Sequence, residues 1–268
     1  MKPLSEFLES DLRRVRCVFT DIDDTLTDDG CLTAKAYGAI AALDETGIPV
    51  VPITGRPAGW CDLIARLWPV GGVVGENGAF YFRYDRSQKR MERFYADSET
   101  ERSAKREKLI SIGDKIIAEI AGSAISADQA YRETDLAVDF SEDVPRLSDE
   151  QIDRIVMIFR ESGATAKVSS IHVNGWFGDY DKLSMTRIFA ANCLKVDLNK
   201  QPERFIFVGD SPNDEPMFDF FPNSVGVANV RLFKDRLVTP PTYITEAPGG
   251  GGFAEVAAAL IASRKRAP

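Results

Sequence analysis

The chain has 268 residues, of which 44% are hydrophobic, and its formal net charge is −8. This length and composition suffice for one large globular domain or for a core with a smaller companion. The negative charge disfavours a protein that coats nucleic acid or an anionic membrane, and no apolar run approaches transmembrane length. We therefore expect no nucleic-acid partner and no membrane association.

The cysteine and histidine content removes further classes of site. Cys17, Cys31, Cys61 and Cys193 are far apart and form no Cys-x-x-Cys pair, so their spacing supports neither a zinc knuckle nor a dithiol redox site. The single histidine, His172, excludes any site that needs two histidine ligands. A reduced, cytoplasmic protein is the simplest expectation.

Short apolar strand candidates alternate with helical stretches at both ends of the chain. The first part contains predicted strands at 15–20 and 48–53, helices at 33–45 and 57–68, and β structure at 73–82. The last part contains a predicted helix at 180–193, a buried strand at 205–208 and a closing helix at 253–263, which follows a glycine loop at 249–252. This alternation predicts an α/β fold with a Rossmann-like parallel sheet flanked by helices.

The middle of the chain has a different pattern. Residues 85–108 are rich in charge and are followed by amphipathic helical patterns at 108–120 and 148–162. Strand-like segments occur at 136–140 and 164–173. We predict an inserted α+β unit at 84–170, with the core formed by 1–83 and 171–268.

The most informative segment is the end of the first predicted strand, where paired carboxylates follow an apolar run. Asp21 and Asp23 stand at alternate positions, so in an extended segment both side chains can reach one pocket. Two carboxylates held about 4 Å apart repel by roughly 4 kcal/mol at an effective dielectric constant of about 20. The pair therefore calls for a compensating cation, and a divalent metal is the natural candidate.

Two further polar groups stand at the ends of predicted elements. The second strand runs into Thr54-Gly55-Arg56, which puts a hydroxyl, a flexible backbone and a cation where open α/β proteins bind ligands. An ordinary helix N-cap is the alternative for Thr54. Lys182 opens a helical pattern, where a lysine is unfavourable for the helix dipole, so either a nearby anion or simple solvation explains it.

The strand at 205–208 repeats the arrangement of the first strand. This fully apolar run leads directly into Gly209-Asp210-Ser211-Pro212-Asn213-Asp214, which contains two acids and an amide. A buried strand rarely ends in so dense a polar group without a function. We therefore interpret Asp210, Asn213 and Asp214 as site residues.

The order of these motifs resembles the haloacid dehalogenase superfamily of aspartate-nucleophile phosphohydrolases. Its four signature regions correspond here to Asp21-x-Asp23-x-Thr25, Thr54, Lys182, and Gly209-Asp210-x-x-Asn213-Asp214. The inserted unit resembles the α+β cap of the branch that contains Cof-type sugar phosphatases and sucrose-phosphate phosphatase. Asp24 departs from the pattern, because many relatives have glycine there, but aspartate tolerates unusual turn geometry and the bend need not be lost.

The resemblance implies a mechanism and a cofactor. Asp21 would attack phosphorus and form an aspartyl-phosphate, while Asp23 would serve as general acid and then as general base. A cluster of oxygen ligands without histidine or thiolate suits Mg²⁺. The expected metal ligands are Asp21, Asp210, Asp214 and the backbone carbonyl of Asp23, and the expected phosphoryl-binding groups are Thr54, Gly55 and Lys182.

The resemblance further implies a small phosphorylated metabolite as substrate, with a sugar phosphate favoured. Predicted substrate-binding residues are Gly55, Arg56 and Asn213 in the core and Arg132, His172 and Asn174 in or beside the cap. Two alternatives stay open: a sugar phosphomutase that uses the same aspartyl-phosphate, and a non-catalytic, metal-dependent phosphate-binding module. We expect a monomer or a weak homodimer.

Overall fold

The fold is described from a computed structural model of the chain that covers residues 1–169 and 171–265. Ser170, the predicted last residue of the cap, and residues 266–268 lie outside the described part. The strands are β1 (Lys2–Pro3), β2 (Cys17–Thr20), β3 (Thr27–Asp28), β4 (Cys31–Leu32), β5 (Val50–Pro52), β6 (Val73–Gly75), β7 (Phe80–Asp85), β8 (Arg90–Tyr95), β9 (Ala124–Ile125), β10 (Asp135–Asp139), β11 (Thr165–Val168), β12 (His172–Trp176), β13 (Phe205–Gly209), β14 (Ser224–Gly226) and β15 (Tyr243–Ile244). The α-helices are α1 (Glu9–Leu12), α2 (Ala34–Glu45), α3 (Ala58–Leu67), α4 (Glu99–Glu119), α5 (Asp149–Glu161), α6 (Lys182–Phe189), α7 (Glu215–Phe220) and α8 (Gly249–Lys265).

The core is a parallel sheet with strands in the order β1-β15-β14-β13-β2-β5. Its central strand β13 is buried at every residue, as a continuous apolar run requires when helices cover both faces. Alternate residues supply the two faces: Val18 and Ile206 belong to one hydrophobic cluster, and Phe19 and Phe207 to the other. The α/β fold with a parallel sheet core is thereby confirmed.

A small antiparallel sheet, β6-β7-β8, extends the core from residue 73 to residue 95. It continues from β5 through a parallel bridge between Ile53 and Val74. Phe80 and Phe82 lie in a core cluster, and Tyr95 packs against it. The predicted cap boundary at residue 84 therefore falls inside β7. The charge-rich sequence concealed β8, which is an edge strand that can expose its charged side chains.

The cap is a separate α+β unit with its own hydrophobic cluster. Its antiparallel sheet has the order β11-β12-β10-β9, and α4 and α5 pack on it through residues such as Ile116, Phe159 and Val173. The single strand predicted at 164–173 is in fact the hairpin β11–β12. Because β12 pairs with β10 over its full length, the predicted return to the core at residue 171 is too early. We propose cap bounds of 98–177 instead.

Local signals define several helix starts. Capping boxes begin α4 at Ser98 and α5 at Ser148, where each serine accepts a hydrogen bond from the third helical residue. The start of α4 is earlier than the predicted residue 108. The glycines predicted to form a loop at 249–252 are instead the first turn of α8, where the Gly250 amide donates to Asp28 Oδ1. Within the described residues, we find no helix long and apolar enough to cross a membrane.

Candidate active site

Three carboxylates meet at the carboxyl edge of the core sheet. Asp21 follows β2 and Asp210 follows β13, and these strands are parallel neighbours, so the Asp21 amide donates to the Val208 carbonyl at 2.9 Å. Asp214 comes from the turn after β13. Asp21, Asp210 and Asp214 are buried, and each offers one oxygen within 4.8 Å of the others.

Lys182 neutralises part of this charge. Its Nζ lies 2.7 Å from Asp21 Oδ1 and 2.7 Å from Asp214 Oδ1. Lys182 is the first residue of α6, whose N-cap Asp181 accepts from the Ser184 amide, so the helix start aims the ammonium at the carboxylates. Burial disfavours the charged amine, but the two carboxylates outweigh burial and raise the pKa of Lys182 above its ordinary value.

The carboxylates remain undercompensated. Burial raises the pKa of Asp21 to about 7, with repulsion from Asp214 and Asp23 adding to it and Lys182 opposing it. Burial and the repulsion of Asp214 and Asp21 likewise raise the pKa of Asp210 well above its ordinary value. Three hard oxygen donors and an excess of negative charge fit Mg²⁺ better than a soft metal.

Close approach and hydrogen bonds hold these acids in place. Asp214 Oδ2 lies where a Cβ on Gly209 would come within 2.5 Å, so glycine is required there. The same oxygen accepts from the Asp210 amide at 3.2 Å. Asp210 also accepts from Thr25 Oγ1 at 3.1 Å and from Asn229 Nδ2 at 3.3 Å.

Asp23 is held apart from the three acids. Arg56 binds the Asp23 carboxylate through Nε at 2.9 Å and through Nη2 at 2.8 Å. The φ of Asp24 is +56°, so this aspartate adopts the left-handed turn conformation in which glycine is common. The Thr54 hydroxyl is buried and accepts from the Arg56 amide at 3.0 Å, which positions the base of the arginine.

Residues of the core and of the cap together line one cleft. Nine of the twelve predicted site residues line it: Asp21, Asp23, Gly55, Arg56, Arg132, His172, Asn174, Asp210 and Asn213. The other three contact this set from beneath: Lys182 and Asp214 through the ion pairs above, and Thr54 through the Arg56 amide. The structure therefore brings all twelve residues to one region.

The cap residues form a buried polar network. Arg132 donates to Asp128 through Nε and Nη2, and to Asp135 and the Gly55 carbonyl through Nη1. Asn174 Nδ2 donates to Asp135 Oδ2 at 2.9 Å. Arg132 is therefore a cap residue that touches the core directly beside Thr54.

Two carboxylates at the junction were missed by sequence reasoning. Glu142, in the loop after β10, lies 3.2 Å from Arg56 Nη1 and 2.9 Å from His172 Nε2. Glu76, in the Gly-Glu-Asn-Gly turn, is fully buried and accepts from the amides of Glu133 and Thr134, and from the Thr134 hydroxyl. No feature of the local sequence distinguishes Glu142 from other surface acids. The turn that contains Glu76 is unusual, because the three successive residues from Glu76 to Gly78 have positive φ.

Comparisons with known proteins find similar sequences. Residues 18–106 match the family model of haloacid dehalogenase-like hydrolases. A phosphoglycolate phosphatase of Methanosarcina mazei is 27% identical over 248 residues, which cover 90% of this chain and 95% of that protein. Both matches support the resemblance seen in the sequence: the chain is similar to haloacid dehalogenase-like hydrolases.

Solved structures have a similar fold over most of the chain. A structure from Thermoplasma acidophilum is similar with a TM-score of 0.70 at 18% identity, covering 92% of this chain and 98% of that one. The sucrose-phosphatase of Synechocystis, solved with sucrose and phosphate, has a TM-score of 0.62 at 14% identity, covering 92% and 98%. At these identities the likeness concerns the fold.

Proposed function

We propose that the chain is a magnesium-dependent phosphomonoester hydrolase that acts on a small phosphorylated metabolite, with sugar phosphates as the favoured class. The observation that carries this proposal is the placement of Asp21. Its carboxylate lines the cleft, forms an ion pair with Lys182 and lies near the carboxylates of Asp210 and Asp214. Asp23 lines the same cleft. Phosphoglycolate and sucrose phosphatases among the similar proteins support the same reaction class.

The first half-reaction is an in-line displacement at phosphorus. A carboxylate oxygen of Asp21 forms the bond to phosphorus while the bond to the leaving oxygen breaks. Asp23, in its protonated form, delivers its proton to that leaving oxygen, and Arg56 binds the carboxylate that this transfer leaves. Lys182 balances the negative charge that collects on the phosphoryl oxygens, with the Gly55 amide and the Thr54 hydroxyl as further donors.

The second half-reaction hydrolyses the aspartyl-phosphate. Asp23, now ionised, removes a proton from water, whose oxygen bonds to phosphorus as the bond to Asp21 breaks. Asn213 lines the cleft and is held by the Ser211 hydroxyl, so it can orient a phosphoryl oxygen. Mg²⁺, held by Asp21, Asp210, Asp214 and the Asp23 carbonyl, would supply charge neutralisation when bound.

Asp21→Asn tests the proposal. We expect phosphate release from phosphomonoesters in the presence of Mg²⁺ to fall by at least about a thousandfold, because an amide is a poor nucleophile. Asp114→Asn, on an exposed position of α4, is the matched control and should keep the wild-type rate. Full activity of Asp21→Asn, or no release by the wild-type protein from any phosphomonoester, would refute the proposal.

Product analysis separates hydrolysis from a mutase reaction, since a mutase isomerises a hexose phosphate and releases little free phosphate.

We retain the proposals of a cytoplasmic location and of a monomer or weak homodimer. Gel filtration of the purified protein measures the latter.

A further inference from the structure

Glu142 contacts two residues that line the cleft, Arg56 and His172, and its position is preorganised. It lies in the loop after β10, where Asp139 Oδ1 accepts from the amides of Ser141 and Glu142 at 2.8 Å each. Asp139 Oδ2 accepts from the Asp143 amide, also at 2.8 Å. Because three successive amides are bound to one buried carboxylate, the loop presents Glu142 in a defined position.

Glu142 is also firmly charged. The imidazole of His172, 2.9 Å away, and the guanidinium of Arg56 lower the pKa of Glu142 to about 2, against the effect of burial. The carboxylate is therefore ionised throughout the physiological pH range. Arg56 is also paired with Asp23, and its Nη1 lies 3.8 Å from Asp128 Oδ2, so three carboxylates surround this guanidinium.

The positive charge of Arg132, the second arginine that lines the cleft, is also balanced by neighbouring carboxylates. Arg132 binds Asp128 through two nitrogens and Asp135 through a third. Arg132 lowers the pKa of Asp128 against the effect of burial, which keeps that carboxylate ionised. The positive charges of these two arginines are thus outnumbered by the four carboxylates around them, which are Asp23, Asp128, Asp135 and Glu142.

We propose that Glu142 is a specificity-determining residue that selects against substrates whose leaving group carries a carboxylate. The inference rests on the proposed phosphatase function and deepens it. A carboxylated leaving group would face Glu142 and would have to compete with it for Arg56. A neutral polyol can instead donate its hydroxyls to Glu142 and to the other oxygen acceptors of the cap wall.

On this assignment, the favoured substrates of the chain differ from the substrate in the names of similar proteins, which are phosphoglycolate phosphatases. Phosphoglycolate bears a carboxylate on its leaving group, two bonds from the ester oxygen. The favoured substrates of this chain are phosphomonoesters of neutral polyols, such as sugar phosphates.

Two substrate pairs isolate the charge. Glycerol 3-phosphate and 3-phosphoglycerate differ only in a hydroxymethyl group against a carboxylate, and 2-hydroxyethyl phosphate and phosphoglycolate differ in the same way. For the wild-type protein with Mg²⁺, we expect kcat/KM to favour the neutral member of each pair by about tenfold or more. Glu142→Gln should reduce this preference by about tenfold, mainly through a lower KM for the anionic member.

Two further variants serve as controls. Glu161→Gln makes the same change at an exposed position of α5 and should leave both ratios unchanged. Glu142→Asp keeps the charge and should retain most of the preference, which a purely structural role would not predict. Since the wild-type protein is itself compared on both pairs, the proposal is tested even where a variant fails to fold.

The outcomes are distinct. A wild-type preference for the carboxylated substrates, or a ratio that Glu142→Gln leaves unchanged, overturns the specificity assignment while the phosphatase proposal stands. Absence of phosphate release from all four substrates and from p-nitrophenyl phosphate overturns both.

Discussion

Replacing Lys182 with methionine removes one charge between two buried acids and keeps the bulk of the side-chain stem. Its Nζ is 2.7 Å from an oxygen of Asp21 and from an oxygen of Asp214. At that distance and an effective dielectric constant of about 20, each contact contributes about 6 kcal/mol of Coulomb attraction. Burial of the ammonium cancels much of this, and removing one partner of a buried ion pair costs about 3–5 kcal/mol.

The pH dependence of that loss follows from the acids left behind. The pKa of Asp21 is already about 7 with the lysine present, and it rises further without it. A carboxylate whose pKa is raised in the folded state lowers stability as the pH rises from its unfolded pKa, about 4, to its folded pKa. Because the folded pKa of Asp21 is higher in the variant than in the wild type, the extra loss of the variant accumulates above about pH 7. We therefore expect Lys182→Met to lose about 4 kcal/mol at pH 8 and less than about half of that at pH 5.

Urea unfolding followed by circular dichroism measures this loss, at both pH values and with EDTA or Mg²⁺. Magnesium should narrow the difference from wild type, because a bound cation replaces part of the lost positive charge. Lys200→Met is the control: its side chain is 81% exposed and 3.8 Å from Asp197, so its effect should stay below about 0.5 kcal/mol. Equal stability of Lys182→Met and wild type at pH 8 in EDTA would refute the electrostatic reasoning.

Three other perturbations test separate parts of the structure. Gly78→Ala should lower the free energy of unfolding in urea by about 2–4 kcal/mol and should lower the rate of phosphate release, because its Cβ would overlap the Asp181 carbonyl at the start of α6 and φ is +105°. Gly38→Ala is the control: its Cβ would meet open space, so the variant should gain up to about 1 kcal/mol of stability. Similar effects of the two substitutions would contradict this reasoning. Glu76→Gln should lower the melting temperature by several degrees, since an amide nitrogen would face backbone N–H donors of the cap. A shift under about 1 °C would contradict the role of Glu76 in holding the cap on the core. Magnesium affinity, measured by calorimetry, should weaken from pH 8 to pH 6 as protons compete for Asp21, and equal affinities would disprove this competition.

Elements with strong local signals were predicted from the sequence. The strand at 205–208 is β13, which is apolar and buried throughout, and the helix at 148–162 is α5, which has a capping box and an apolar face. Elements whose signals are weak or masked were not. The predicted strand at 164–173 is the hairpin β11–β12, and the segment was predicted as one strand because no glycine or proline marks its turn. β8 is an edge strand, and its charges concealed it.

The sequence by itself determined the α/β core and the positions of the motifs, because strand periodicity and the polar residues that end each strand are local properties. The placement of Asp21 beside Asp210 follows from the pairing of β2 with β13, which joins residues far apart in the chain. Only the tertiary structure placed Glu142 on Arg56 and Glu76 under the cap, since each contact depends on how the cap docks on the core. Docking is decided by the summed packing and hydrogen bonding of two units, and no single segment of sequence encodes it.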